Sequence, residues 1–350
     1  MSRDARANVL LVGTGVVGSA LVNILLGECT VPIDLAAVAN TRGIVPTDAE
    51  AALTKDAVKA LRARSRDESR SDVIGDDYLD AFARRPNPVL VDATAADGLE
   101  DLYLRALARG IHVVTANKKP LVVAYEKRQR LFDPANRKGG ARFRYEATVG
   151  AGLPVIETVK DLVRTGDRVK KIECVLSGTL GFVANELFAG TPLSQAVAIA
   201  KDRGFTEPDP REDLGGADVA RKAVILAREL GSDLELSDVD LTAFVPTYVK
   251  LAELDMEVAA RVKRLKERGE KLVYLARIEQ DPEGRVKASA GPVAVALDHP
   301  AATLAGSSAL VSFTSARYAS DPLVVRGSGA GGPVTASAVL ADVLKVAGLT

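Results

Sequence analysis

The apolar run Asn8–Val12 and the turn behind it, Gly13-Thr14-Gly15-Val16-Val17-Gly18, constrain this chain more than any other segment. The run ends on glycine, and an apolar helix pattern follows over Ser19–Leu26, so the segment reads as strand, tight turn and helix. In that setting each glycine has its own task. Gly13 permits the turn, Gly15 lets backbone approach a pyrophosphate, and Gly18 lets the helix close on the strand. Thr14, Val16 and Val17 complete the turn, and the unpaired N–H groups and positive end of the helix favour a phosphate. The segment predicts a bound nicotinamide dinucleotide.

Beyond the first helix the chain keeps the same rhythm. Ile33–Asn40 reads as a second strand ending at Thr41-Arg42-Gly43, Asp48–Arg70 as a charged surface helix, and Pro88–Thr94 as a buried strand. An amphipathic helix over Asp97–Arg109, a strand over Gly110–Thr115 and a helix over Leu121–Arg137 continue the pattern. Alternating strands and helices predict an α/β, Rossmann-type, doubly wound parallel sheet. The texture changes at the loop Glu146–Pro154, whose two glycines and proline suggest a domain boundary. Beyond it come a helix (Val155–Arg164), a strand (Val169–Leu176), several helices between Gly181 and Leu230, and a strand pair, Leu272–Gln280 with Arg285–Ala290. This is material for a second, α+β domain. A second glycine turn over 327–333, which includes Gly329, opens the apolar helix Val334–Ala347 and offers another phosphate cradle. The expected organisation is residues 1–148 with 325–350 returning to them, and 149–324; 350 residues suffice for two domains of about 150 each.

Charge narrows the partners. Lysine plus arginine and aspartate plus glutamate each number 46, so no single-sign field exists to hold a nucleic acid or a membrane surface. The apolar runs are too short to cross a bilayer, and the N-terminus carries both charge signs without the apolar core of a signal peptide. A cytoplasmic enzyme is the expectation. The two cysteines, Cys29 and Cys174, lack metal or disulfide spacing. Of the two histidines, His112 opens an apolar strand and His299 sits in a turn, so both read as structural. Proton chemistry therefore falls to lysine, aspartate or glutamate.

One segment bears on the choice of cofactor and three on the chemistry. The second strand ends at Asn40-Thr41-Arg42 without the carboxylate that NAD-binding sites place about 20 residues past the turn; Asp34 has that spacing but opens the strand. Arg42 can pair with a 2′-phosphate, which favours NADP over NAD, or it is a solvated turn cation. Lys118 and Lys119 follow a sheet strand, where ligands of open α/β sheets collect, or are ordinary exposed turn lysines. Ser177-Gly178-Thr179 offers donors to a small polar substrate, or caps a helix. Finally, an acidic, proline-stiffened loop from Gly204 through Glu207 and Asp213 enters a helix on which Asp218 and Lys222 stand four apart, as a salt bridge or as a proton donor beside a cation-binding loop.

Together these motifs resemble the homoserine dehydrogenases. Glu146-Ala-Thr-Val-Gly-Ala-Gly-Leu-Pro154, Ser177-Gly-Thr179, Thr206-Glu-Pro-Asp-Pro210 and Gly216-Ala-Asp-Val-Ala-Arg-Lys222 are similar to that family's motifs in its order. The resemblance implies reversible hydride transfer between L-homoserine and L-aspartate 4-semialdehyde, on the route to threonine, isoleucine and methionine. It implies Lys222 as proton donor, with Lys118 near the nicotinamide and sharing the acid/base role. Glu207, Asp218, Gly178, Thr179 and Asp213 are implied as substrate contacts. Thr94 and Gly329 join the cofactor contacts. It also implies a monovalent cation, sodium or potassium, held by main-chain carbonyls of Glu146, Val149, Ala151 and Leu153; the residues alone equally read as a glycine hinge. A homodimer formed through the second domain is expected. The chain as given carries no further regulatory or kinase segment, so no threonine inhibition through one is expected. A thioester-forming semialdehyde dehydrogenase would need a well-placed cysteine, and a dinucleotide-sensing regulator a DNA-binding module; neither is apparent.

Overall fold

In the computed structural model the chain is described over residues 6–27, 30–47, 53–65, 74–206, 209–246, 248–306 and 308–349. It divides into two units, Met1–Gly152 with Gly331–Thr350, and Leu153–Ala330.

In the first unit the order is β1 (Ala7–Val12), α1 (Val16–Leu25), β2 (Ile33–Asn40), β3 (Gly43–Pro46), α2 (Lys55–Ala63), α3 (Asp76–Phe82), β4 (Pro88–Asp92), α4 (Glu100–Leu107), β5 (His112–Thr115), α5 (Tyr125–Phe132) and β6 (Phe143–Arg144). The sheet runs β3-β2-β1-β4-β5-β6. Every neighbouring pair is parallel except β2 with β3. That exception corrects the all-parallel expectation. Asn40 and Gly43 pair across the turn at Thr41-Arg42, so the chain doubles back as an edge hairpin instead of leaving the sheet. The long helix expected over 48–70 is α2 alone among the described residues. Thr54 caps it, accepting from the Ala57 amide at 3.1 Å, and the chain leaves helical geometry at Arg64. The helix expected over 121–137 is shorter too: α5 stops at Phe132, because Pro134 disfavours helical geometry at the residue before it.

The second unit contains α6 (Val155–Arg164), β7 (Val169–Val175), α7 (Gly178–Ala189), α8 (Leu193–Asp202), α9 (Pro210–Leu214), α10 (Ala217–Glu229), β8 (Asp240–Leu241), α11 (Leu251–Glu267), β9 (Glu270–Gln280), β10 (Val286–Ala296), β11 (Ser308–Ser315) and β12 (Leu323–Ser328). Its sheet runs β12-β11-β7-β9-β10-β8 and is antiparallel except for the short β10–β8 pair. Helices α7, α10 and α11 lie against β9. The strand expected to end at Ala290 continues to Ala296 through Pro292, where no neighbour replaces β8, so the missing N–H costs no ladder bond. Helix α11 and strands β11 and β12 stand where the sequence pattern assigned nothing.

The last helix, α12 (Gly332–Ala347), belongs to the first unit. Its apolar face, Ala336, Val339, Val343 and Val346, joins Leu21 and Val22 of α1 and Val9, Leu11, Val89 and Val91 of the sheet in one buried cluster. No helix among the described residues is long and apolar enough to cross a membrane.

Candidate active site

The cofactor turn separates its three glycines by what surrounds them. Gly13 has φ +99, and a Cβ there would lie 2.7 Å from Thr94 Cγ2 and 3.0 Å from the Ala93 carbonyl. A Cβ on Gly18 would lie 2.1 Å from Gly13 O. Both glycines are therefore required by the fold. Around a Cβ on Gly15 there is nothing within 4 Å. No side chain caps α1, so its first N–H groups remain available to a phosphate. An open approach beside an uncapped helix end fits the pyrophosphate of a dinucleotide. Thr14 is tied to the end of β2, its Oγ1 accepting from Asn40 Nδ2 at 3.1 Å, while Asn40 Oδ1 accepts from the Arg42 amide at 2.8 Å. The Arg42 guanidinium donates to the Arg62 carbonyl, and Arg62 donates to Ser19 Oγ at 2.6 Å in the first turn of α1. Val16 is 76% exposed at the mouth of the turn.

At the ends of β4 and β5 lies a buried polar network that the sequence pattern did not reveal. Asp92 Oδ1 accepts from the Thr94 amide at 2.7 Å, and Oδ2 accepts from Asn117 Nδ2 at 3.0 Å and from Tyr103 Oη. Tyr103 Oη is also 2.9 Å from Thr115 Oγ1. Asn117 Nδ2 donates to Ala96 O at 2.8 Å, and Asn117 Oδ1 accepts from the Lys119 amide at 3.1 Å. Burial pushes the Asp92 carboxyl up, against the hydrogen bonds from Tyr103, Thr94 and Asn117. Lys118, half-buried, sits between the anchored Asn117 and Lys119, and Lys119 Nζ pairs with Asp97 at 2.7 Å.

In the second unit Lys222 is 9% exposed on α10, a helix largely buried through its middle. Its Nζ donates to Leu176 O at 2.7 Å and pairs with Asp218 at 2.7 Å. The salt bridge is thus real, and it is coupled to a main-chain anchor at the end of β7. The helix can start where it does because Gly216 has φ +75 and a Cβ there would lie 1.8 Å from Tyr274 Oη. Ser177 caps α7, accepting from the Leu180 amide at 3.1 Å. The Thr179 hydroxyl donates to Phe205 O and lies 3.3 Å from Asp213 Oδ1, so it ties α7 to the loop before α9. Asp209 caps α9 and pairs with Arg211 at 2.8 Å, which partly neutralises the acidic loop. Glu207 lies outside the described residues, as does Cys29. Cys174 is fully buried, and burial pushes its thiol up, so it is no nucleophile.

The loop at the end of the first unit is shaped by α12. Asp342, buried on that helix, pairs with Arg144 at 2.7 Å and accepts from the Glu146 amide at 2.9 Å. Glu146, Val149 and Ala151 are buried, and Gly150 and Ala151 have φ +82 and +58. Leu153 O accepts from the Val155 amide at 2.9 Å and Glu146 O from the Val149 amide at 3.4 Å. Among the described residues no three His, Cys, Asp or Glu side chains converge as metal ligands. Gly329 follows β12, where a Cβ would lie 2.1 Å from Ala309 Cβ, so close strand packing requires glycine there. In the same turn, a Cβ on Gly332 would lie 3.0 Å from Val16 O.

Backbone left open for a pyrophosphate at the switch point between β1 and β4 defines the class of the first unit: a Rossmann-type dinucleotide-binding domain. The model of the homoserine dehydrogenase family matches residues 154–344, and that of the homoserine dehydrogenase NAD-binding domain matches residues 13–146. The homoserine dehydrogenase of Schizosaccharomyces pombe is 34% identical over 365 residues, covering 97% of this chain and 95% of that one. A bifunctional aspartokinase/homoserine dehydrogenase of Haemophilus influenzae is 42% identical over 274 residues, covering 74% of this chain. The chain spans 29% to 42% of the length of such bifunctional relatives. A crystal structure of a Candida auris protein of unknown function superposes with a TM-score of 0.84 at 33% identity, covering 98% of each chain. The chain belongs to the homoserine dehydrogenase family.

Proposed function

We propose that the chain interconverts L-homoserine and L-aspartate 4-semialdehyde reversibly with a nicotinamide cofactor, on the route to threonine, isoleucine and methionine. The observation that carries this reading is Lys222, buried and doubly held at Nζ within the segment the family model matches. When bound, the nicotinamide supplies the hydride for aldehyde reduction and takes it back in alcohol oxidation. Lys222 has three N–H donors; Leu176 O and Asp218 engage two of them, and the third is directed to the substrate oxygen. There it donates a proton to the developing alkoxide, and recovers it when homoserine is oxidised. Asp218, 48% exposed at its side chain, supplies with Asp213 and Glu207 the acidic surround for the substrate ammonium. Gly178 and Thr179 border the same end of the unit, and Lys118 and Thr94 contact the cofactor in the first. Aspartate semialdehyde consuming NADPH and yielding homoserine is the expected result; an absence of turnover with that aldehyde would end the proposal.

NADP is the preferred cofactor on this reading, because no carboxylate ends β2 and the Arg42 guanidinium is already anchored there by the Arg62 carbonyl. Arg42→Ala is expected to raise the KM for NADPH by about tenfold, roughly one charge-assisted hydrogen bond, and to leave the KM for NADH unchanged. Equal effects on both cofactors would remove Arg42 from 2′-phosphate binding. The carbonyls of Glu146, Val149, Ala151 and Leu153 hold a monovalent cation, sodium or potassium, in a loop pinned by Asp342. A rise in melting temperature with sodium or potassium chloride, absent with choline chloride, is the expected signature. We assign the second unit to a homodimer and the enzyme to the cytoplasm, with small-molecule partners only; sedimentation velocity would test the dimer.

A further inference from the structure

We propose that Asp92 is a positioning residue whose carboxylate clasps the ends of β4 and β5 together and thereby fixes Thr94 and Lys118 for the bound dinucleotide. The proposal rests on the reading that Thr94 and Lys118 contact the cofactor.

Asp92 is fully buried, and its partners among the described residues are neutral donors: Tyr103, Thr94 and Asn117. A carboxylate taken out of water without a cation carries a desolvation cost that an apolar residue of similar size would avoid. Its use must therefore be geometric. One oxygen holds its own strand's loop through the Thr94 amide at 2.7 Å. The other reaches the neighbouring strand's loop through Asn117 Nδ2 at 3.0 Å. Asn117 passes the constraint on, donating to Ala96 O at 2.8 Å and accepting from the Lys119 amide at 3.1 Å, so Lys118 is fixed on both sides.

The same clasp reaches the glycine turn. Thr94 Cγ2 is the atom that a Cβ on Gly13 would meet at 2.7 Å, so Thr94 seats directly against the cofactor turn. Tyr103, on α4, locks the arrangement from behind by bridging Asp92 and Thr115. Burial and the neighbouring Asp92 both push the Tyr103 hydroxyl up, so it stays protonated and remains the donor. An aspartate is the side chain that serves two loops at once. An asparagine has a single acceptor oxygen and cannot accept from Thr94 on one atom and from Tyr103 and Asn117 on the other.

Asp92→Asn is expected to weaken NADPH binding by about tenfold or more, measured by calorimetry well below the melting temperature. The KM for NADPH should rise in parallel while the KM for homoserine stays within about twofold. Tyr103→Phe keeps the links to Thr94 and Asn117, and is expected to weaken NADPH by about threefold. Leu107→Ala, a core truncation on the same helix α4, is the control: it should lower the melting temperature at least as far and leave the NADPH affinity of the folded protein within about twofold. If Asp92→Asn binds NADPH like the wild type, or if Leu107→Ala weakens it equally, Asp92 is merely structural. If Asp92→Asn does not fold, Tyr103→Phe decides, and unchanged affinity there overturns the proposal. A wild-type chain that fails to bind NADPH overturns this proposal together with the cofactor reading beneath it. Loss of binding in Gly15→Ala with none in Asp92→Asn overturns this one alone.

Discussion

Lys222→Ala is expected to lower kcat/KM for NADPH-dependent reduction of aspartate semialdehyde by roughly a hundred- to ten-thousand-fold, the usual worth of a positioned acid. The effect should fall on turnover. The cofactor turn belongs to the other unit, so the dissociation constant for NADPH should stay within about twofold of wild type. Folding should survive. Asp218 is 48% exposed at its side chain and returns to water when its partner goes, while the Leu176 carbonyl loses one donor at about 1–3 kcal/mol. Lys222→Arg offers no rescue, because a planar guanidinium cannot reproduce an ammonium that reaches a main-chain carbonyl and a carboxylate at 2.7 Å each. The check is steady-state and single-turnover kinetics beside NADPH calorimetry. Activity within about threefold of wild type would take the proton-donor role from Lys222.

Legibility in the sequence followed the range of the interactions. The glycine turn was readable because strand, turn and helix are contiguous and each has its own periodicity. The Asp218–Lys222 pair was readable because helical spacing alone places both on one face. Asp92 was not, since an aspartate closing an apolar strand looks like any strand-end residue. Its partners Tyr103 and Asn117 lie 11 and 25 residues away and converge only once the sheet forms. Asp342 is a stronger case: it stands in an apolar helix and its partner Arg144 is 198 residues earlier. The edge strand β3 was lost for a different reason. Thr41-Arg42 reads as a strand terminus whether the chain leaves the sheet or doubles back, and only pairing with β2 decides. Helix α11 carries its buried stripe, Leu254, Val258, Val262 and Leu265, at helical spacing, so the signal was present and diluted by charge.

The glycine turn itself yields the sharpest contrast, because two similar substitutions should fail in opposite ways. Gly15 has φ −72 and ψ −158, which alanine adopts freely, and beyond its own chain neighbours nothing among the described residues lies within 4 Å of a Cβ there. Gly15→Ala should therefore fold as well as wild type, or gain about 0.4–1 kcal/mol from the lost freedom of the unfolded chain. It should nevertheless raise the NADPH dissociation constant by about a hundredfold, since the new methyl group occupies the approach that a pyrophosphate needs. Gly18→Ala meets Gly13 O at 2.1 Å, so α1 or the turn must shift and the unit should lose about 1–3 kcal/mol of stability before any ligand is added. Melting curves with and without NADPH separate the two, because a ligand that binds only the native state raises the midpoint with the logarithm of its concentration over Kd. Wild type should shift upward with NADPH. Gly15→Ala should start at the wild-type midpoint or above and stay there, and Gly18→Ala should start lower. A full NADPH shift in Gly15→Ala would mean that the cofactor lies elsewhere, because nothing in the protein's own packing explains why residue 15 has no side chain.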